Sequence, residues 1–190
     1  MTNGGTGTDQ QFDLAPGGSR SISEPDQWGG RVWGRYQCSG SSASSQSCGT
    51  PGASNPASLA EFFFKGANGQ DYYDISLVDG YNLPMSITPS SEKSADGYNC
   101  GQPKCDIGSC PAQYAVKDSA GNVISCKSSC SATGSDKDCC TGDHDDPNAC
   151  KPDSHASNVK SQCPDAYSYA YDDSSSTFAC SAASYSVDFC

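Results

Sequence analysis

At 190 residues and 35% hydrophobic content, the chain is long enough for one substantial core and a smaller satellite, so one or two domains are allowed. Its formal net charge is −11, with only 11 Lys and Arg spread among 22 Asp and Glu, which argues against the cation clusters that nucleic-acid binding needs. No apolar run approaches the ~18–20 residues of a membrane span.

In chain order, residues 1–9 are rich in Gly and Thr without periodicity and read as disorder or a ragged edge. Met1 leads straight into Thr2-Asn3-Gly4-Gly5, with neither the basic nor the apolar part of a secretory leader, so an absent N-terminal segment is expected. Residues 11–15, 19–23 and 31–37 alternate or cluster as short strands, separated by Pro16-Gly17-Gly18 and by the turn-rich residues 25–30. Residues 59–64 and 72–78 are rich in aromatic and branched side chains and flank the turn-forming Gly66-Ala67-Asn68-Gly69, a β-hairpin signal. Residues 83–88 make a further strand, closed by Pro89.

From Cys100 to Cys163 the composition shifts to Cys, Asp, Ser, Gly and Lys, with too few large apolar side chains for a packed layer. Covalent staples must hold this stretch. Within it, residues 112–117 and 122–126 form a small hairpin around Ala120-Gly121, and only residues 154–160 offer any helical period. Residues 166–171, 177–181 and 185–189 return to strand character. The expected class is all-β: a β-sandwich built from residues 1–99 and 163–190, with a disulfide-rich loop domain, 100–162, inserted. The join between two such lobes is a common place for a cleft. Thirteen cysteines fit an oxidising compartment, so secretion is expected; no N-x-S/T sequon adds to that reading.

The long hairpin carries the chemistry. A turn centred on Ala67-Asn68 sets Glu61 directly opposite Asp74, whereas a tight turn at Asn68-Gly69 makes them diagonal neighbours; both keep them on one face. Asp71 has the other parity, and Asp79 follows in the Asp79-Gly80 turn. Like charges held this close cost stability. Two roles tolerate that cost: a carboxylate pair flanking a glycosidic bond, or an anionic groove that selects a partner by field. The plainer alternative is a set of solvated acids on a polar strand face. On the glycosidase reading Glu61 is the general acid and Asp74 the nucleophile or base. Tyr81, beside Asp79, is the leading candidate for stacking on a sugar ring, while Trp33 and Phe62 read as core.

Zinc ligation by Cys126, Cys130, Cys139, Cys140 and His144 is disfavoured, since no C-x-x-C pair occurs and adjacent cysteines suit tetrahedral ligation poorly. No cofactor is implied. His144 and His155, the only histidines, lack an accompanying G-x-S-x-G, so a hydrolase triad has little support.

Gly30-Arg31-Val32-Trp33-Gly34-Arg35, Leu59-Ala60-Glu61-Phe62, the run from Asp71 to Met85, Cys139-Cys140-Thr141-Gly142 and Cys163-Pro164-Asp165-Ala166-Tyr167-Ser168-Tyr169 together resemble the thaumatin-like proteins, pathogenesis-related family 5. The resemblance runs from about Phe12 to Cys190. It implies a secreted, monomeric β-sandwich protein with an acidic inter-domain cleft, antifungal or wall-remodelling, that binds or slowly hydrolyses β-1,3-glucan or another wall polysaccharide. It further implies disulfides Cys38–Cys48, Cys100–Cys180, Cys105–Cys163, Cys110–Cys126, Cys130–Cys139 and Cys140–Cys150, leaving Cys190 without the first-strand partner that the family supplies. One small bridge common in large members, between Cys48 and the hairpin, is lacking. Of the family's cleft residues, the glutamate maps to Glu61, the aspartates to Asp74, Asp79 and Asp172, and the arginine position to Ser54. Without that cation, like-charge repulsion is expected to raise at least one carboxyl pKa. The alternative role is a non-catalytic interaction protein that meets a cationic protein or a membrane receptor through the same acidic surface.

Overall fold

The structure, a computed structural model, describes residues 2–3, 10–36, 48, 50–91 and 97–189. The first half contains β1 (Thr2–Asn3), β2 (Gly29–Val32), β3 (Leu59–Phe63), β4 (Asp71–Ser76), β5 (Gly80–Tyr81) and β6 (Met85–Pro89). The second half contains β7 (Lys104–Cys105), β8 (Ala115–Lys117), β9 (Val123–Lys127), α1 (Ser129–Thr133), α2 (Asp136–Cys139) and α3 (Ser154–Gln162). It closes with β10 (Ala166–Tyr167), α4 (Asp173–Ser176), β11 (Phe178–Cys180) and β12 (Tyr185–Asp188).

The described residues form three sheets. The largest has the order β1-β2-β3-β4-β10, with β11 also paired to β4; the others are β12-β6-β7 and β5-β9-β8. Strands from both chain ends thus share sheets, as expected. The stretch 100–162 is woven in at its margins: β7 lies inside it yet extends the second sheet, and β5 lies outside it yet pairs with β9.

Strand alternation explains the core. On β3 and β4, Ala60, Phe62, Tyr73 and Ile75 point one way and are buried, and they join Met85 and Ile87 of β6 in one apolar cluster. Phe178, Cys105, Cys163 and Val159 extend that cluster into the half-cystine-rich region. Tyr73 sits at its centre, 1% exposed, stacked on Phe178 and Phe62, with its hydroxyl donating to the Gly101 carbonyl at 2.6 Å. Tyr73→Phe leaves that buried carbonyl without its donor, a loss of about 1–2 kcal/mol. Thermal unfolding should show a midpoint lower by about 2–6 °C.

Several expected strands differ. Residues 11–15 and 19–23 carry no ladder: a two-residue period makes a strand only where a neighbour supplies hydrogen bonds, and here the chain reverses at Gly17, whose φ is +72°. Conversely, Thr2–Asn3, read as part of a ragged edge, pairs with Arg31 and Gly30. Helix is more frequent than the sequence suggested because α1, α2 and α4 have only four or five residues, too short to show a period. α1 and α2 are fixed by caps, Ser128 and Ser135 each accepting a backbone N–H in the first turn.

Five disulfides match the implied pairing: Cys100–Cys180, Cys105–Cys163, Cys110–Cys126, Cys130–Cys139 and Cys140–Cys150. The Cys38–Cys48 pairing and the state of Cys190 lie outside the described residues. Among the described residues no His, Cys, Asp and Glu group could hold a metal ion. Among the described residues, too, no helix is long and apolar enough to cross a membrane.

Candidate functional site

The turn between β3 and β4 decides the geometry. Gly66 N–H donates to Gln70 O at 2.8 Å, closing a loop over residues 67–69, in which Asn68 and Gly69 both take left-handed φ. The ladder takes the first of the two sequence-allowed registers, with Glu61 directly opposite Asp74. The next pair outward on β2 adds Arg31, directly opposite Glu61. Directly opposed residues leave an antiparallel ladder on the same face, so Arg31, Glu61 and Asp74 form one cross-strand row. Asp71, of opposite parity, is buried on the other face, where it accepts from the Lys65 backbone and the Tyr185 hydroxyl.

Arg31 corrects the expectation of a missing cation. Ser54, where the resemblance placed the arginine, is an exposed turn residue, whereas the Arg31 charge acts on Glu61. The sequence contained Arg31 but not its register: 26 residues separate β2 from β3, and periodicity cannot count across them.

Asp79 and Asp172 part company. Asp79 lies in the turn after β4, its carbonyl held by the Ser131 hydroxyl of α1 at 2.8 Å, and its charge reaches Glu61. The turn needs Gly80, whose φ is +119° and whose missing Cβ would fall 2.0 Å from Cys126 O. Asp172 is spoken for elsewhere. Its Oδ2 pairs with Lys160 Nζ at 3.1 Å and accepts from the Ser168 N–H and hydroxyl, so it pins the loop between β10 and α4. The neighbouring Asp173, first residue of α4, is the one whose charge reaches Asp74, and Tyr167 donates to its Oδ1 at 2.8 Å. One residue along the chain separates the two roles, and the deciding signal, Lys160 on α3 as partner of Asp172, is visible only in the fold.

Tyr81 is also placed differently from its expected role. It is 7% exposed, belongs to the apolar cluster and donates its hydroxyl to Ser109 O at 2.9 Å, so its ring has no open face for a sugar. Phe62 is core as read, while Trp33 is half-buried and Trp28 takes the fully buried position.

The row has an internal electrostatic order. Burial pushes the Glu61 carboxyl up, Arg31 pulls it back, Asp79 adds to the rise and a Ser76 hydrogen bond lowers it. Asp74 has no such relief: burial, then Glu61, then Asp173 all push it well above the usual carboxylate range. Its Oδ1 is sealed from solvent and has no hydrogen-bond partner. A neutral, protonated Asp74 is the form that this environment favours. The arrangement therefore separates one proton-holding acid from one arginine-flanked carboxylate, which is the division of labour that two-carboxylate chemistry uses.

A family model described as "Thaumatin family" matches residues 1–190. The chain belongs to the thaumatin family. It is 44% identical to "Thaumatin-like protein 1b" of Malus domestica, covering 94% of this chain and 90% of that protein. It is 44% identical to "Pathogenesis-related thaumatin-like protein 3.5" of Cryptomeria japonica, covering 94% and 77%. It is 38% identical to the "PR5-like receptor kinase" of Arabidopsis thaliana, where the match spans 94% of this chain but 29% of the relative. For this thaumatin-like chain, the strand-rich fold and the disulfide framework both follow the family resemblance of the sequence.

Proposed function

We propose that this thaumatin-like protein is a secreted, monomeric defence or wall-remodelling protein that engages β-1,3-glucan over the acidic row and cleaves it slowly. The observation that carries the reading is the Arg31–Glu61–Asp74 alignment, with its burial and charge order. Five disulfides support the extracellular setting. Relatives named as pathogenesis-related support the defence role.

In this scheme the roles of the two acids exchange relative to the sequence-based expectation. Asp74, holding its proton, donates it to the glycosidic oxygen as the bond to the anomeric carbon breaks; Glu61, the acid whose ionised form Arg31 favours, bonds to that carbon. Water, deprotonated by Asp74, then displaces Glu61. Directly opposed strand residues have Cβ atoms about 5 Å apart, and carboxyl groups at about that separation suit retention of configuration. Asp79 and Asp173 set the negative field around the pair.

The test is retention on insoluble β-1,3-glucan together with reducing-end release from a linear β-1,3-glucan. Glu61→Gln with Asp74→Asn should lower reducing-end release by at least about 100-fold and weaken retention. Undiminished retention by the double variant removes the acidic row as the glucan site.

A second reading has its own support: a thaumatin-like segment forms part of a receptor kinase, and the net charge of −11 suits a cationic partner. Binding that collapses with added salt and is not competed by glucan oligomers would favour it.

A further inference from the structure

One strand step from the acidic row, on the same face, lies a second row of different character. Phe63 is directly opposite Tyr72, with Gly29 beyond Phe63 on β2 and Ala179 beyond Tyr72 on β11. Residues two apart share a face, so this Gly–Phe–Tyr–Ala row continues the Arg31–Glu61–Asp74 surface at a distance of about 6.6–6.8 Å along the strands. Phe63 is 53% exposed, whereas its neighbours Phe62 and Phe64 pack with Trp28.

The Phe63 ring lies between two glycines. A Cβ on Gly29 would stand 3.1 Å from its Cδ2, and one on Gly66 would stand 2.8 Å from its Cδ1 and 3.0 Å from Tyr72 Cδ2. Two glycines therefore keep the space on the ring's two sides free of side chains, and more than half of Phe63 stays open to solvent. Tyr72, half-buried, is steadied by its hydroxyl donating to Ala67 O at 3.4 Å. Larger side chains at positions 29, 66 or 179 would crowd the two rings.

We infer that Phe63 and Tyr72 form an aromatic shelf that stacks a pyranose ring of the same glucan chain, one subsite away from the acids. This rests on the glucan reading of the acidic row. A pyranose offers a flat patch of C–H groups to a ring face and hydroxyls to carboxylates, so one sugar chain matches an aromatic row continuous with an acidic row; a folded protein partner would not need that succession. The shelf gives the site a length requirement, because an oligomer must reach both rows to use both.

The experiment is calorimetric titration of the full chain with β-1,3-linked glucose oligomers, a disaccharide and a hexasaccharide. Phe63→Ala should weaken hexasaccharide binding about five- to tenfold and leave the disaccharide unchanged, while Phe63→Tyr keeps parental affinity for both. Because Phe63 is largely exposed, the unfolding midpoint should stay at the parental value and separates lost stacking from lost fold. Unchanged hexasaccharide affinity in Phe63→Ala, with binding lost in Glu61→Gln/Asp74→Asn, overturns the shelf and leaves the acidic row standing. A loss in Phe63→Ala seen only with polylysine as probe assigns the shelf to cations and overturns it too. No binding of either oligomer by the parent removes the glucan reading and the shelf together.

Discussion

Asp74→Asn should melt above the parent protein at pH 7, and the gap should close as pH falls below about 4. Asp74 is raised well above its ordinary value by burial, by Glu61 and by Asp173, and its Oδ1 has no donor to compensate a charge. In the unfolded chain the same carboxyl ionises near its ordinary value of 3.8. Between that value and the raised folded one, the folded state holds more protons than the unfolded state, so stability falls as pH rises through the window. Below the window the stabilisation is fully present; above it, it is gone. Asn resembles the protonated acid in shape and cannot ionise, which removes this dependence. A gain of about 1–2 kcal/mol at pH 7, or about 2–8 °C, is the expected size. Glu61→Gln should gain less, because Arg31 and Ser76 already favour the ionised Glu61. Thermal unfolding of the three proteins from pH 3 to pH 8 checks this. A gap that is constant with pH, or a parent that outlasts Asp74→Asn at neutrality, contradicts a proton-holding Asp74. The same substitution removes the proposed proton donor, so a more stable and less active variant is the combined signature.

The acid pair was legible in the sequence because a hairpin with a short, turn-rich loop leaves few registers, and parity alone put Glu61 and Asp74 on one face. What stayed hidden were relations between elements distant in the chain. Arg31 joins the row through a ladder between strands 26 residues apart in the chain, too far for parity to be counted. Asp173, rather than Asp172, faces Asp74 because Lys160, on a helix twelve residues earlier, captures Asp172. Tyr81 looked available because it follows a turn, yet β5 pairs with β9 and carries its ring into the core. The bridges, by contrast, were reached through family resemblance; thirteen cysteines alone allow a very large number of pairings. Residues 11–15 and 19–23 show the opposite error, a local pattern without the neighbour that would make it a strand.

Removing the Cys100–Cys180 bridge should cost about 3–4 kcal/mol, less than its span suggests. The two half-cystines are 80 residues apart, and opening a loop of that length in an otherwise unlinked chain would give about 4–5 kcal/mol on the chain-entropy estimate. The unfolded chain here is not unlinked. Cys105–Cys163 lies nested inside the wider bridge, so with it intact the freed loop runs only from residue 100 to 105 and from 163 to 180, roughly twenty residues. Cys100→Ala with Cys180→Ala is the cleaner variant, since Cys180 is 1% exposed and a serine hydroxyl there would need a partner. Its midpoint should fall by on the order of 10 °C. Cys105→Ala with Cys163→Ala should cost a similar amount, because the outer bridge then closes the same short path. The four-alanine variant should lose more than the two separate losses added together, since each bridge shortens the loop that the other closes. Simple additivity across these variants would show that the bridges act through native packing around Phe178 and Val159 rather than through the nested loops. The acidic row depends on the outcome: β11, which ends at Cys180, pairs with β4 beside Asp71 to Tyr73, so the outer bridge also anchors the strand that presents Asp74.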